Sequence, residues 1–294
     1  MNHREHVAAL KGLLHAGPDG RRLHSVPGCW DGLTALLVER AGFPIAFLSG
    51  GALSMGRYGS PDMGLVTASE VAQAVAVIRD RIAIPLIVDA DTGFGNALTL
   101  QRSLRAFERA GASAVQIEDQ GFPKRCGHMA GKTVVPLAES VGRIRAALDA
   151  RQDMLVIART DALAVEGYDA AIERAEAYLD AGADLIFIEG PRTLSELAGI
   201  AGRFAGRVPL VHNLVEGGVT PVDNGAALEQ LGFAIALHPL LLLHGLAAQG
   251  PRWLDTLARE RGTASLSADI ARLSDMNALL GASDLIDLGK RYDA

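Results

Sequence analysis

The sequence is short of cysteine, of charge clustered in one sign, and of long apolar runs, and each shortage excludes something. Its two cysteines, Cys29 and Cys126, lie far apart, which points to a reduced, cytoplasmic protein rather than a disulfide scaffold. The formal net charge is -6, and Lys and Arg are scattered rather than clustered, so no nucleic-acid surface is expected. An anionic ligand must then be met by local positive charge. Residues 1–14 carry charge throughout instead of the apolar centre of a secretion signal. The most apolar stretch, 233–243, contains His238 and Pro239 and is too short to cross a bilayer, so no membrane role is expected. No stretch of Pro, Ser or like charge marks a linker, and no G-x-G-x-x-G follows the first strand, which argues against a dinucleotide-binding sheet.

What is present is an ordinary globular balance, 49% hydrophobic and 21% charged, in a chain of 294 residues. Short apolar runs recur at 23–27, 44–48, 85–88, 114–117, 154–158, 185–188, 208–211 and 233–237. Most are followed by an amphipathic stretch rich in Ala, Leu, Glu and Arg, the pattern of parallel strands covered by crossover helices. Helices are predicted from near Asp31 and over 69–81, 99–109, 137–150, 168–181, 193–204, 222–231 and 240–249. Thr67-Ala68-Ser69-Glu70 reads as a capping box, and Gly111 and Gly182 as helix C-terminal glycines. Eight such units with no break in composition predict an α/β fold, a (β/α)8 TIM barrel over 1–249. Two further helical segments, 253–261 and 268–280, form a C-terminal helical extension, 250–294, placed against a neighbouring subunit in an oligomer.

Barrel active sites lie at the carboxyl ends of the strands. Six apolar runs end in polar groups: Ser49-Gly50-Gly51, Asp89-Ala90-Asp91, Glu118-Asp119, Arg159-Thr160-Asp161, Glu189 and His212-Asn213. Asp89 and Asp91 fall on the same side of an extended segment. With Glu118 nearby, through water, they suit a hard cation such as Mg2+; alternatively they cap or turn the following loop. Arg159 can grip a carboxylate bidentately or pair with Glu118 or Glu189. Asn213 can donate an amide hydrogen bond or merely shape a turn. Residues 120–136 are long for a strand-to-helix connection and suggest a lid. The lid carries Lys124-Arg125-Cys126-Gly127-His128, whose positive charges favour a reactive Cys126 over an inert buried thiol. His128 is assigned to substrate or loop organisation, because no second ligand at zinc spacing accompanies it. Cys29 has no such surroundings and is read as packing.

These motifs, taken in order with Pro27-Gly28, Gly59-Ser60-Pro61-Asp62-Met63-Gly64 and Thr92-Gly93-Phe94-Gly95-Asn96, resemble the isocitrate lyase and phosphoenolpyruvate mutase superfamily over about 26–243. The resemblance is to its 2-methylisocitrate lyase and 2,3-dimethylmalate lyase branch. It implies a Mg2+ site, with Mn2+ as the alternative ion, at Asp89 and Asp91, with Glu118 and Asp62 holding its waters. It implies substrate contacts from Ser49, Gly50, Gly51, Gly127, Arg159 and Asn213, with Glu189 completing the polar rim and Cys126, Arg159 and Glu118 as the catalytic group, Cys126 as general acid; His128 and His244 are further substrate-binding candidates. It also implies a homotetramer with exchanged C-terminal helices. The implied reaction is carbon–carbon cleavage of a small 2-hydroxy di- or tricarboxylate into an oxo-acid and a carboxylate. Three departures bear on the substrate: Phe47 replaces a frequent Tyr, Gln116 a frequent His, and His244 an Arg that grips the distal carboxylate in methylisocitrate lyases. They favour a smaller, more apolar dicarboxylate such as an alkylated malate. The rival readings are oxaloacetate hydrolase, a phosphonate P–C enzyme, and a metal-dependent carboxylate-binding protein without turnover.

Overall fold

In the computed structural model, which describes residues 3–15, 22–127, 129, 131–218, 220–222 and 224–293, apolar runs and amphipathic stretches become alternating strands and helices. In chain order these are α1 (His3–Leu14), β1 (His24–Cys29), α2 (Gly32–Arg40), β2 (Ala46–Leu48), α3 (Gly50–Tyr58), α4 (Ala68–Arg79), β3 (Leu86–Asp89), α5 (Ala97–Ala110), β4 (Ala114–Glu118), α6 (Leu137–Ala150) and β5 (Leu155–Thr160). There follow α7 (Ala162–Val165), α8 (Tyr168–Ala181), β6 (Leu185–Ile188), α9 (Leu194–Phe204), β7 (Leu210–Asn213), α10 (Gly225–Leu231), β8 (Ile235–His238), α11 (Leu241–Glu260), a 3-10 turn (Ala264–Leu266), α12 (Leu273–Leu280) and α13 (Ala282–Lys290). The eight strands pair in sequence order, and β8 closes on β1 in parallel. The expected (β/α)8 barrel with extra C-terminal helices is the observed fold.

Side chains alternate across each strand, so the sheet has two apolar faces. Ile45, Phe47, Ile87, Ala114, Leu155, Ile157, Leu185, Phe187, Val211, Ile235 and Leu237 pack inside the barrel. Leu48, Val88, Val115, Ile117, Val156, Ala158 and Ile186 face outward to the helices. Leu10 and Leu14 of α1 join the inner cluster, so this helix plugs the barrel. The sequence reading assigned it no helix, although Val7, Leu10 and Leu14 stand at helical spacing.

Local chemistry sets the ends of the elements. The Thr67–Glu70 capping box opens α4, and Asn96 accepts from Leu98 N–H at 3.0 Å and Thr99 N–H at 3.1 Å to open α5. Gly111 and Gly182, at φ 107° and 104°, end α5 and α8 in the left-handed region, where a Cβ is strained. The stretches predicted at 240–249 and 253–261 form one helix, α11, with Pro251 inside it. A proline removes one helix hydrogen bond, and here the turns on either side continue past it.

The chain resolves into two compact units, Met1–Leu243 and His244–Ala294. The first holds the barrel; the second holds all but the start of α11, together with α12 and α13.

Candidate active site

The inner face of the strands changes from apolar to polar in its last two residues. Phe47 is followed two positions on by Ser49, Ile87 by Asp89, Ala114 by Gln116 and then Glu118, Ile157 by Arg159, Phe187 by Glu189, and Val211 by Asn213. Asp89, Glu118 and Asn213 are the last residues of β3, β4 and β7, so the strands extend past their apolar runs into the site. Neighbouring register then makes pairs. Glu118 and Arg159 are direct partners across β4 and β5, and their Oε2 and Nε lie 3.3 Å apart. Asp119, Thr160 and His212 have the opposite parity. Asp119 was read as a rim group, but its carboxylate points outward and accepts from Thr160 Oγ1 at 2.6 Å, Tyr178 OH at 2.8 Å, Asp161 N–H at 2.9 Å and Arg174 Nη1 at 3.2 Å. His212 packs edge-on against Phe233.

These residues surround a pocket of about 510 Å3, its open mouth included. Ser49, Gly51, Asp62, Asp89, Gln116, Glu118, Cys126, Gly127, Arg159 and Asn213 line it together with Lys124 and Arg125. Phe47, Met55, Val215, Pro239 and Leu240 form its apolar wall, of which the sequence reading had singled out Phe47 alone.

One side of the pocket is acidic. Asp89 accepts from the N–H groups of Gly50 and Asp91, each at 3.2 Å. A Cβ built on Gly50 would lie 3.1 Å from Asp89 Oδ2 and 3.3 Å from Asp91 Oδ1, so the two oxygens converge over this glycine and a side chain there would press on them. Lys124 reaches into the cluster, pairing with Asp62 and, at 2.7 Å, with Asp91 Oδ1. Its ammonium is therefore held by carboxylates rather than set against Cys126. Burial pushes the Asp91 carboxyl up to about 7, with Lys124 pulling it down and Asp89 and Asp62 pushing it further up. Burial likewise pushes Glu118 well above the ordinary value, against the pull of Arg159. Glu118 Oε1 is buried without a hydrogen-bond partner among the described residues.

Four carboxylates gathered around one ammonium fit a hard divalent cation. Among the described residues no three His, Cys, Asp or Glu side chains form a ready cage. Mg2+ itself keeps several waters and takes few carboxylates. Asp89 and Asp91 would hold the ion, with Glu118 and Asp62 beside it.

The other side is cationic. Asp161 grips Arg159 side-on, accepting from Nε at 2.8 Å and Nη2 at 3.0 Å. The guanidinium also stacks over Phe187, 5.2 Å from the ring centre. Burial opposes its charge, but Asp161, Glu118 and Glu189 together outweigh burial and raise its pKa. Glu189 in turn accepts from Asn213 Nδ2 at 3.0 Å. Gly127 sits directly on this pair: a Cβ there would run into Arg159 Nη2 and come within 2.6 Å of Glu189 Oε1.

The loop carrying Cys126 is pinned next to the thiol residue and at its stem. The Gln120 side chain clamps Arg125 through Oε1 to N–H at 2.9 Å and Nε2 to C=O at 2.8 Å. Gly121 N–H donates to Thr133 C=O at 2.9 Å. His128 lies outside the described residues. His244 is the first residue of the second unit. Cys29 is buried, its thiol 3.4 Å from Phe47 C=O and its pKa pushed up by burial, as an inert packing residue requires. Lys132 and Gln120 fall within the predicted lid, 120–136, without a role in the sequence reading, and Asp161 enters it only as a polar strand-end residue. Their sole signal was position, beside residues that had one.

Comparison with known proteins bears on this geometry. The family described as phosphoenolpyruvate phosphomutase matches residues 13–247. The chain belongs to this phosphoenolpyruvate mutase/isocitrate lyase superfamily. A 2,3-dimethylmalate lyase of Eubacterium barkeri is 38% identical over 275 residues, covering 92% of this chain and 94% of the relative. A 2-methylisocitrate lyase of Aeropyrum pernix is 45% identical over 214 residues, covering 73% and 68%. Among solved structures, an oxaloacetate acetylhydrolase with 3,3-difluorooxalacetate superposes with a TM-score of 0.90 at 31% identity, covering 98% of this chain and 97% of that one. A phosphonopyruvate hydrolase with oxalate and Mg2+ does so with a TM-score of 0.85 at 31% identity, covering 99% of both chains. Superfamily members thus act on small carboxylates, and lyases are among them.

Proposed function

We propose that this superfamily member is a Mg2+-dependent carbon–carbon lyase that cleaves a small 2-hydroxy di- or tricarboxylate, of the alkylmalate or 2-methylisocitrate type, into an oxo-acid and a carboxylate. The observation that carries the reading is the convergence of an acidic cluster, a fixed arginine and a thiol on one pocket. When bound, Mg2+ or Mn2+ would supply Lewis-acid stabilisation of charge on the substrate oxygens. Arg159 offers Nη1, the guanidinium nitrogen with no protein partner among the described residues, to a substrate carboxylate. Ser49, Gly50, Gly51, Gly127, Glu189 and Asn213 complete the carboxylate pocket. After loss of the 2-hydroxyl proton the adjacent carbon–carbon bond breaks, its electron pair stays on the departing fragment, and the Cys126 thiol protonates that carbon. The loop over the site excludes water from this carbanion. The apolar wall of Phe47, Met55, Val215, Pro239 and Leu240 supports an alkyl-substituted substrate over a third carboxylate. The same reading includes a cytoplasmic homotetramer.

The test is incubation of the purified protein and Mg2+ with 2,3-dimethylmalate, 2-methylisocitrate, isocitrate, oxaloacetate and phosphonopyruvate, following oxo-acid release, with Cys126→Ser alongside. Oxo-acid release from a hydroxy acid, reduced about 10²-fold or more in the variant, is expected for a lost general acid. Inactivity on every hydroxy acid, or turnover indifferent to Cys126, sinks the proposal. The oxaloacetate acetylhydrolase superposition favours a second reading, hydrolysis of oxaloacetate, which oxalate in the same assay would establish.

A further inference from the structure

The loop that carries Cys126 returns to the barrel through Lys132, and the contacts of this lysine join two parts of the pocket. Its Nζ donates to the carbonyl of Gly127, the neighbour of Cys126, and pairs with Asp161 Oδ1 at 2.8 Å. Asp161 is the carboxylate that holds Arg159 by Nε and Nη2. Asp161 is 0% exposed, Arg159 6% and Lys132 9%, so the three charges meet away from water. A buried ammonium is tolerated only where charge and hydrogen bonds replace its hydration, and here one carboxylate and one carbonyl do so.

We infer that Lys132 is a positioning residue: it fastens the Cys126 loop to the arginine through Asp161, so that thiol and guanidinium hold one geometry across the pocket. Three details favour this over a merely structural ion pair. The lysine contacts the loop backbone immediately after the thiol residue, at Gly127, and so holds the side of Cys126 opposite to Arg125, which Gln120 clamps. Gly127 lies so close to Arg159 and Glu189 that only a glycine fits, and the loop rests on the guanidinium itself. Asp161 saturates one edge of Arg159, leaving Nη1 for the pocket, so moving Asp161 would re-aim the arginine as well. Lys132 therefore acts first on where Cys126 stands, while Arg159 keeps Asp161 and Glu118 without it.

The inference deepens the lyase reading, but its main test does not need that reading. Full-length protein with Mg2+ is treated with iodoacetamide, and alkylation of Cys126 is followed by peptide mass, with buried Cys29 as internal control. In Lys132→Met the rate at Cys126 is expected to rise about tenfold or more, the factor by which one hydrogen bond to a charged group holds a local opening equilibrium. Lys132→Arg, which keeps a cationic donor, restores slow alkylation. On the hydroxy acid identified by the substrate panel, Lys132→Met lowers kcat more than it raises KM. Where Lys132→Met does not fold, Asp161→Asn takes its place, with fast alkylation and a raised KM expected. Faster alkylation in a protein that turns over no hydroxy acid upholds the positioning role and sinks the lyase reading. Alkylation at the wild-type rate, with normal turnover where the lyase acts, overturns the positioning role and leaves the lyase reading standing.

Discussion

Asp119 and Glu118 are adjacent in sequence and opposite in use. Glu118 faces into the barrel, where burial raises its pKa and Arg159 pairs with it. Asp119 faces outward, 2% exposed, and gathers a hydroxyl, a phenol, an amide and the guanidinium of Arg174. Its amide donor is the backbone N–H of Asp161, so the outward residue fixes the turn that presents Asp161 and, through it, Arg159. Asp119→Ala is expected to cost about 3–5 kcal/mol, because it strands donors and a charge already removed from water. The shift of the urea midpoint measures that loss, and an unchanged midpoint would contradict the role. The residue types at the rim were readable from sequence, and so was the alternation that separates the two faces. The partners of Lys124 and Lys132 were not, because a long flexible side chain takes whichever carboxylate the fold brings within reach.

At the scale of the element, α1 and α5 show how pieces remote from the pocket hold it. Leu10, 0% exposed, sits among the inner residues of the barrel. Truncating it to Ala should cost about 2–5 kcal/mol, as for other well-packed leucines. Chemical denaturation checks this, and a loss well under 1 kcal/mol would mean that the barrel does not need its plug. Glu108, near the end of α5, accepts from the N–H groups of Gln152 at 2.9 Å, Asp153 at 2.8 Å and Met154 at 3.0 Å, setting the approach to β5. Burial pushes this carboxyl up, but those three donors outweigh burial and hold it below its ordinary value. A carboxylate with a lower pKa folded than unfolded stabilises fully above its unfolded value, and that contribution is lost as pH falls through the folded value. Glu108→Gln should therefore lose about 1–3 kcal/mol at neutral pH. Its deficit against the wild type should shrink as the pH drops below the ordinary carboxylate range, and thermal melts across pH 3 to 7 (roughly the window of carboxylate linkage) would show it. A deficit independent of pH would assign the effect to shape rather than charge. Where propensity and packing agree, as in α6 and α8, boundaries read from sequence match the structure; α3 opens on two glycines and was missed.

For the whole molecule, α11, α12 and α13 bury no residue within the chain. Leu254, Leu273, Leu285 and Ile286 are each more than half exposed. A homotetramer would cover such leucines, and light scattering should then give four times the 30.9 kDa of the chain, whereas a monomer mass would remove that part of the proposal. EDTA should abolish turnover and Mg2+ or Mn2+ restore it, while activity that survives EDTA would rule out the ion's role. Periodicity alone determined the eight strands, most of the helices and the closed barrel, because strands buried on both faces and joined by crossover helices have few ways to pack. The order of the motifs carried the superfamily. What only the tertiary structure decided is which polar residues meet: Glu118 with Arg159 by strand register, Lys124 with Asp62 and Asp91, and Lys132 with Asp161 and Gly127. Such pairings join residues up to 62 positions apart, and distance along the chain says nothing about them until the barrel closes.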